Sequence, residues 1–164
     1  MNLLLDKLKS QPRKRILFVC LGNICRSAAA EEIMRVYVRR VGRENEILVD
    51  SAGIIGYHRG DRADPRMRMH ASRRGYNITH RSRPVRTADF YDFDLIVGMD
   101  YANLEDLRDK SPDLETQQKI VLMSKFCRNM NVDIVPDPYY GGEQGFENVL
   151  DMLEDACQGL LDEL

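Results

Sequence analysis

Ile16-Leu17-Phe18-Val19 is an unbroken apolar run that passes without a spacer into Cys20-Leu21-Gly22-Asn23-Ile24-Cys25-Arg26-Ser27 and then into a helix-forming stretch. A short run with no polar alternation is the pattern of a strand buried on both faces, as in a parallel sheet covered by helices. Where such a strand turns sharply through a glycine-containing loop into a helix, successive backbone N–H groups point inward. Together with the helix N-terminus they form a cradle for an oxyanion such as phosphate. One segment therefore constrains both the architecture and the chemistry of the chain.

Within that cradle, Cys20 and Arg26 stand six positions apart. A thiol beside a helix N-terminus and a cation ionises more easily, typically falling from about 8.5 to between roughly 3.5 and 7.5. The thiolate that results is a nucleophile. Arg26 offers a planar fork that holds two phosphate oxygens at once and keeps its charge throughout. The plainer alternative makes Cys20 a small buried residue ending a strand and Arg26 a solvated first-turn side chain. Leu21, Gly22, Asn23, Ile24 and Cys25 supply the amides of the cradle. Asn23 is suited to a left-handed backbone position there, which asparagine tolerates better than most residues. Ser27 is either a helix cap or a hydroxyl donor to the Cys20 sulfur.

The rest of the chain alternates strand and helix patterns. After a polar, mobile N-terminal segment, residues 15–20 read as a strand and 27–41 as a helix stopped by Gly42. A second strand spans 46–49, and Ser51-Ala52-Gly53 turns the chain. Helical spacing covers 63–74, 103–108 and 145–164, with strands at 95–99 and 120–123. This order predicts an α/β fold, one domain with a parallel sheet between two helical layers, whose ligands bind beyond the carboxyl ends of the strands. Residues 1–14 are read as an N-terminal extension and 15–164 as the domain.

At 164 residues with 43% apolar content, the chain is sized for one full core. Asp6, Lys7 and Lys9 interrupt the weakly apolar start before a signal-peptide core forms, so a cytoplasmic protein with no membrane partner is expected. Four cysteines without a C-x-x-C pair fit that compartment and suggest no metal. Residues 1–90 hold 19 Lys/Arg against 9 Asp/Glu, while 91–164 hold 5 against 17, so the anion cradle lies in the basic half. The arginines are scattered and match no nucleic-acid-binding module, so no nucleic-acid partner is expected.

Far downstream, Pro136-Asp137-Pro138-Tyr139-Tyr140 restrains Asp137 between two prolines, which fixes where its carboxyl points. A proton donor so placed suits cleavage of a phosphate ester whose leaving group is a phenolate. Taken alone, such a segment is usually just a turn.

Val19-Cys20-Leu21-Gly22-Asn23-Ile24-Cys25-Arg26-Ser27 with Ala30-Glu31, together with the Asp137 segment, resembles the low-molecular-weight protein tyrosine phosphatases from about Arg15 to the C-terminus. Ala28 stands where the family commonly has proline. The resemblance implies a four-stranded flavodoxin-like sheet in a three-layer sandwich and hydrolysis of phosphotyrosine in proteins through a phosphocysteine on Cys20. Arg26 would clamp the phosphate, Asp137 would act as general acid and base, inorganic phosphate would be released, and no cofactor would be needed. It further implies that Ser51 and His80 hold Asn23; read alone, these are a turn residue and a surface histidine. A reversible Cys20–Cys25 disulfide is implied likewise, the alternative for Cys25 being simple packing.

Tyr57, Tyr139 and Tyr140 are candidate walls for a phosphotyrosine ring. Ile24 is bulkier than the threonine of relatives that act on phosphoarginine. A monomer or weak dimer is expected. The rival readings are an arsenate reductase, which would need relay cysteines around 88–98 where there are none, and a phosphate-binding module without turnover. A receiver domain with Asp100 as phosphoacceptor lacks the acidic pair after the first strand, and no G-x-x-x-x-G-K-[ST] loop occurs.

Overall fold

The computed structural model describes residues 2–164, with the side chains of Asn2 and Tyr140 left aside. Its elements are α1 (Asn2–Ser10), β1 (Lys14–Cys20), α2 (Arg26–Arg40), β2 (Ile47–Gly53), α3 (Pro65–Arg73), α4 (Thr87–Asp92), β3 (Leu95–Gly98), α5 (Tyr101–Lys110), α6 (Leu114–Gln117), β4 (Ile120–Leu122) and α7 (Gly142–Asp162). Short 3-10 turns cover Met123–Phe126 and Pro138–Tyr140. The four strands pair in the order β2-β1-β3-β4, all parallel, which is the flavodoxin-like arrangement expected.

Alternation along β1 divides the core in two. Ile16 and Phe18 face α1, α2 and α7 in one apolar cluster, while Leu17 and Val19 face Phe90, Phe93, Leu104 and Leu107 in another. All four β1 residues are fully buried, which is why the run shows no polar alternation. The sheet is thus the middle of three layers, and the carboxyl end of β1 delivers Cys20 at its edge with α2 starting just beyond the loop.

Two local expectations need correction, and two short helices were not foreseen. The N-terminal segment is not a mobile tail: α1 is helical and plants Leu5 and Leu8 in the core beside α2 and α7. Its brevity and its charged residues concealed an apolar stripe of only two or three side chains. Ser51-Ala52-Gly53 does not turn the chain but completes β2, pairing with Phe18, Val19 and Cys20. Those small residues are required because the loop after β1 lies against them: a Cβ on Gly53 would come within 2.9 Å of the Leu21 carbonyl oxygen and 3.1 Å of the Asn23 nitrogen. Finally, α4 and α6 are helices of six and four residues that the periodicity could not register.

Candidate active site

The loop from Cys20 to Arg26 closes over the end of the sheet. Asn23 takes the left-handed backbone expected of it, with φ 58°, the one non-glycine residue with positive φ among the described residues. Side chains hold it there. The Asn23 Nδ2 donates to Ser27 Oγ at 2.8 Å and to Ser51 Oγ at 3.0 Å, while its Oδ1 lies 2.9 Å from His80 Nε2 and accepts from the Arg83 backbone at 3.1 Å. Ser51 in turn donates to buried Glu31 at 2.7 Å, and His80 Nδ1 lies 3.1 Å from the same carboxylate oxygen. Ser51 and His80 therefore occupy the places that the resemblance implied, and His80 is mostly buried rather than a surface histidine.

Glu31, Asp50 and His80 each bring a potential metal-ligating atom within 4.8 Å of the others. Their oxygens and nitrogens are committed elsewhere: Glu31 also pairs with Arg35, and Asp50 with Arg83. The group reads as a charge-balanced brace behind the loop, and no metal is invoked.

Cys20 is buried, with its Sγ 3.0 Å from Ser27 Oγ and 3.5 Å from the Ser27 backbone nitrogen. Ser27 is not a helix cap: it lies inside the first turn of α2, wholly buried, and its hydroxyl bridges the sulfur and Asn23. Cys25 is also buried, and burial, more than the nearby Asp64, pushes its thiol well above the ordinary cysteine range. The Arg26 guanidinium is held on one side only. Its Nη1 donates to Asp100 Oδ2 at 2.7 Å and to the Val135 carbonyl at 3.1 Å, leaving Nη2 facing Asp137 Oδ2 at 3.8 Å. Asp137 itself is exposed, its Oδ1 accepting from the Tyr139 backbone at 3.0 Å, so Pro136 and Pro138 leave the carboxyl at the cavity mouth.

Cys20, Arg26 and Asp137 thereby meet at one cavity of about 220 Å³, to which Leu21, Gly22, Ile24 and Cys25 contribute the loop wall. Tyr57 and Tyr139 stand on its rim, Tyr57 exposed and edge-on to His58 and Tyr139 beneath the Arg66 guanidinium at 5.0 Å. The expected contribution of the Tyr140 ring lies outside the described side chains. Several residues escaped the sequence reading. Asp100 orients Arg26, Ser82 donates to the Gly22 carbonyl at 2.9 Å, Arg83 braces Asp50, and Ile55 and His58 complete the wall. The sequence marks Asp100 only as an imitation phosphoacceptor past the third strand, and its role on Arg26 carries no local signal.

A thiol and a guanidinium facing one cavity, at the carboxyl edge of a parallel sheet layered between helices, suit a cysteine-based phosphate site. The comparisons agree with that class. A family model described as low molecular weight phosphotyrosine protein phosphatase matches residues 15–164, and the chain belongs to this family. A low molecular weight protein-tyrosine-phosphatase of Streptomyces coelicolor is 40% identical over 150 residues, covering 90% of this chain and 91% of the relative. A protein tyrosine phosphatase of Entamoeba histolytica, crystallised with Hepes in its active site, superposes with a TM-score of 0.88 at 47% identity, covering 91% of this chain and 95% of its own. A Drosophila arginine phosphatase superposes with a TM-score of 0.83 at 31% identity, over 90% and 95% of the two chains.

Proposed function

We propose that the protein hydrolyses phosphotyrosine in proteins through a phosphocysteine intermediate. The observation that carries this reading is the convergence of Cys20, Arg26 and Asp137 on one cavity. The Cys20 thiolate attacks phosphorus in line, with the Ser27 hydroxyl donating to sulfur. Arg26 and the amides from Leu21 to Cys25 bind the equatorial oxygens, whose charge they stabilise as the P–O bond breaks. Asp137 gives its proton to the departing tyrosyl oxygen. In the second step the Asp137 carboxylate takes a proton from water, the resulting hydroxide attacks phosphorus, and the Cys20 sulfur leaves as thiolate with release of inorganic phosphate. Ser27 stabilises the sulfur in both directions.

Ring selectivity falls to Tyr57 and Tyr139, and Ile24 narrows the cradle against a guanidino phosphate. Cys25 beside Cys20 is suited to a reversible disulfide that shields the nucleophile from further oxidation. The cytoplasm, where thiols stay reduced, is the compartment this chemistry suits, and the protein acts as a monomer or weak dimer. Among the described residues no helix is long and apolar enough to cross a membrane.

Two variants test the mechanism. Cys20→Ser should abolish turnover and retain phosphate binding by calorimetry. Asp137→Ala should slow phosphotyrosine hydrolysis by about 10²- to 10⁴-fold while sparing p-nitrophenyl phosphate, whose leaving group needs little protonation. Equal losses on both substrates would remove Asp137 from the acid role, and faster turnover of phosphoarginine than phosphotyrosine would overturn the substrate assignment.

A further inference from the structure

The lip of the cavity carries a concentration of positive charge that the mechanism does not use. After β2 the chain runs through Ile55, Tyr57 and His58, which line the cavity, and continues into Arg59, Gly60, Asp61 and Arg62. This lip is pinned in place. The Gly60 amide donates to the Ser82 carbonyl at 2.8 Å, the Ser82 amide to the Asp61 carbonyl at 2.9 Å, and Arg62 bridges antiparallel to Arg81. Ser82 reaches on to the Gly22 carbonyl of the phosphate loop, so lip and loop are one rigid unit.

Arg59, Arg62 and Arg81 are all exposed on this unit. Arg81 donates to the Gly60 carbonyl at 3.0 Å, which holds its guanidinium against the lip. None of the three forms an ion pair among the described residues. The acid between them, Asp61, is turned to His58 Nδ1 at 3.3 Å. By contrast, Arg66 is paired with Asp64, and Arg83 with Asp50 and Asp89. An incoming anion is attracted by these unpaired guanidiniums.

We propose that Arg59, Arg62 and Arg81 form a recognition lip that selects phosphotyrosine segments flanked by acidic residues. The inference rests on the phosphatase reading above and adds the class of substrate. With the phosphate in the loop and the ring between Tyr57 and Tyr139, the polypeptide on one side of the phosphotyrosine crosses the lip. Glutamate or aspartate within a few positions then meets guanidinium forks suited to carboxylates. Because the lip is exposed, its effect is on encounter and selection and weakens with salt.

Three phosphotyrosine peptides of equal length with acidic, neutral or basic flanks, measured alongside p-nitrophenyl phosphate, test the proposal. The acidic peptide should exceed the basic one by about tenfold in kcat/KM at low salt, two to three exposed ion pairs being gained, and 0.5 M salt should compress the difference to about twofold. In Arg59→Glu/Arg62→Glu the preference should vanish or invert with p-nitrophenyl phosphate turnover unchanged. Arg59→Gln/Arg62→Gln guards against misfolding of the reversal variant. Binding of the same peptides to Cys20→Ser should follow the same order. Indifference of the wild type to flanking charge, or survival of the preference in both double variants, would overturn the lip and leave the phosphatase reading standing. Absence of turnover on phosphotyrosine and p-nitrophenyl phosphate alike would overturn that reading, and the substrate class with it.

Discussion

Arg26 is positioned before any ligand arrives, because Asp100 and the Val135 carbonyl hold Nη1 and aim the rest of the fork at the cavity. Asp100 is itself fixed as the N-cap of α5, its Oδ1 accepting from the Asn103 amide at 2.8 Å. One carboxylate thus ties the clamp to a helix. Asp100→Ala should lower kcat/KM by about 10- to 100-fold through misplacement of the guanidinium. Asp100→Asn, whose amide oxygen still accepts, should lose less, as steady-state kinetics on phosphotyrosine will report. At this scale the sequence was most legible where roles lie within one short segment. Cys20, Asn23, Arg26 and Ser27 fall within one strand-loop-helix segment, and the prolines beside Asp137 declare its restraint locally. Glu31, Asp50, Ser82, Arg83 and Asp100 act on that loop from elsewhere in the chain, and no local pattern distinguishes an acid that braces from one that is merely solvated.

Among the elements, α1 shows how a short helix draws its stability from the surface it covers. Nine residues are too few to be helical alone. Leu8 is 1% exposed and Leu5 5%, both within the cluster shared with α2 and α7. Leu8→Ala should therefore destabilise the protein by about 2–5 kcal/mol in urea unfolding. The refolded variant's kcat should be unchanged, since no α1 residue lines the cavity. The longer elements were readable because three or more turns of α2 and α7 repeat one apolar face, and because β1 is apolar throughout. Their ends were less so: β2 runs on through Ser51-Ala52-Gly53 only because β1 lies beside it.

Taken whole, the molecule joins its basic and acidic halves through a few ion pairs. Arg74, at the end of α3, meets Glu147, Asp151 and Glu154 of α7 at 2.6–2.8 Å. Hydrogen bonds from Arg74 hold the Glu147 carboxyl below the usual range, with His70 adding to the effect. A carboxylate whose pKa is lowered by folding contributes stability that is present above its ordinary value of 4.5 and lost as pH falls below it. Arg74→Met should accordingly cost about 1–3 kcal/mol near neutrality, where three carboxylates lose their shared cation. That deficit should shrink below pH 4.5, as thermal unfolding of both proteins across pH will show. Arg66, Arg74 and Arg83 are paired with acids, and unpaired charge survives at particular places such as the lip. Sequence alone determined the strand-loop-helix unit and the alternation of strands with helices, and it singled out Cys20 and Arg26 as a pair, because each depends on neighbours along the chain. Only the tertiary structure decided which charges remain free, which residues brace the loop and where α1 lies, because those outcomes depend on which distant groups come within hydrogen-bonding reach.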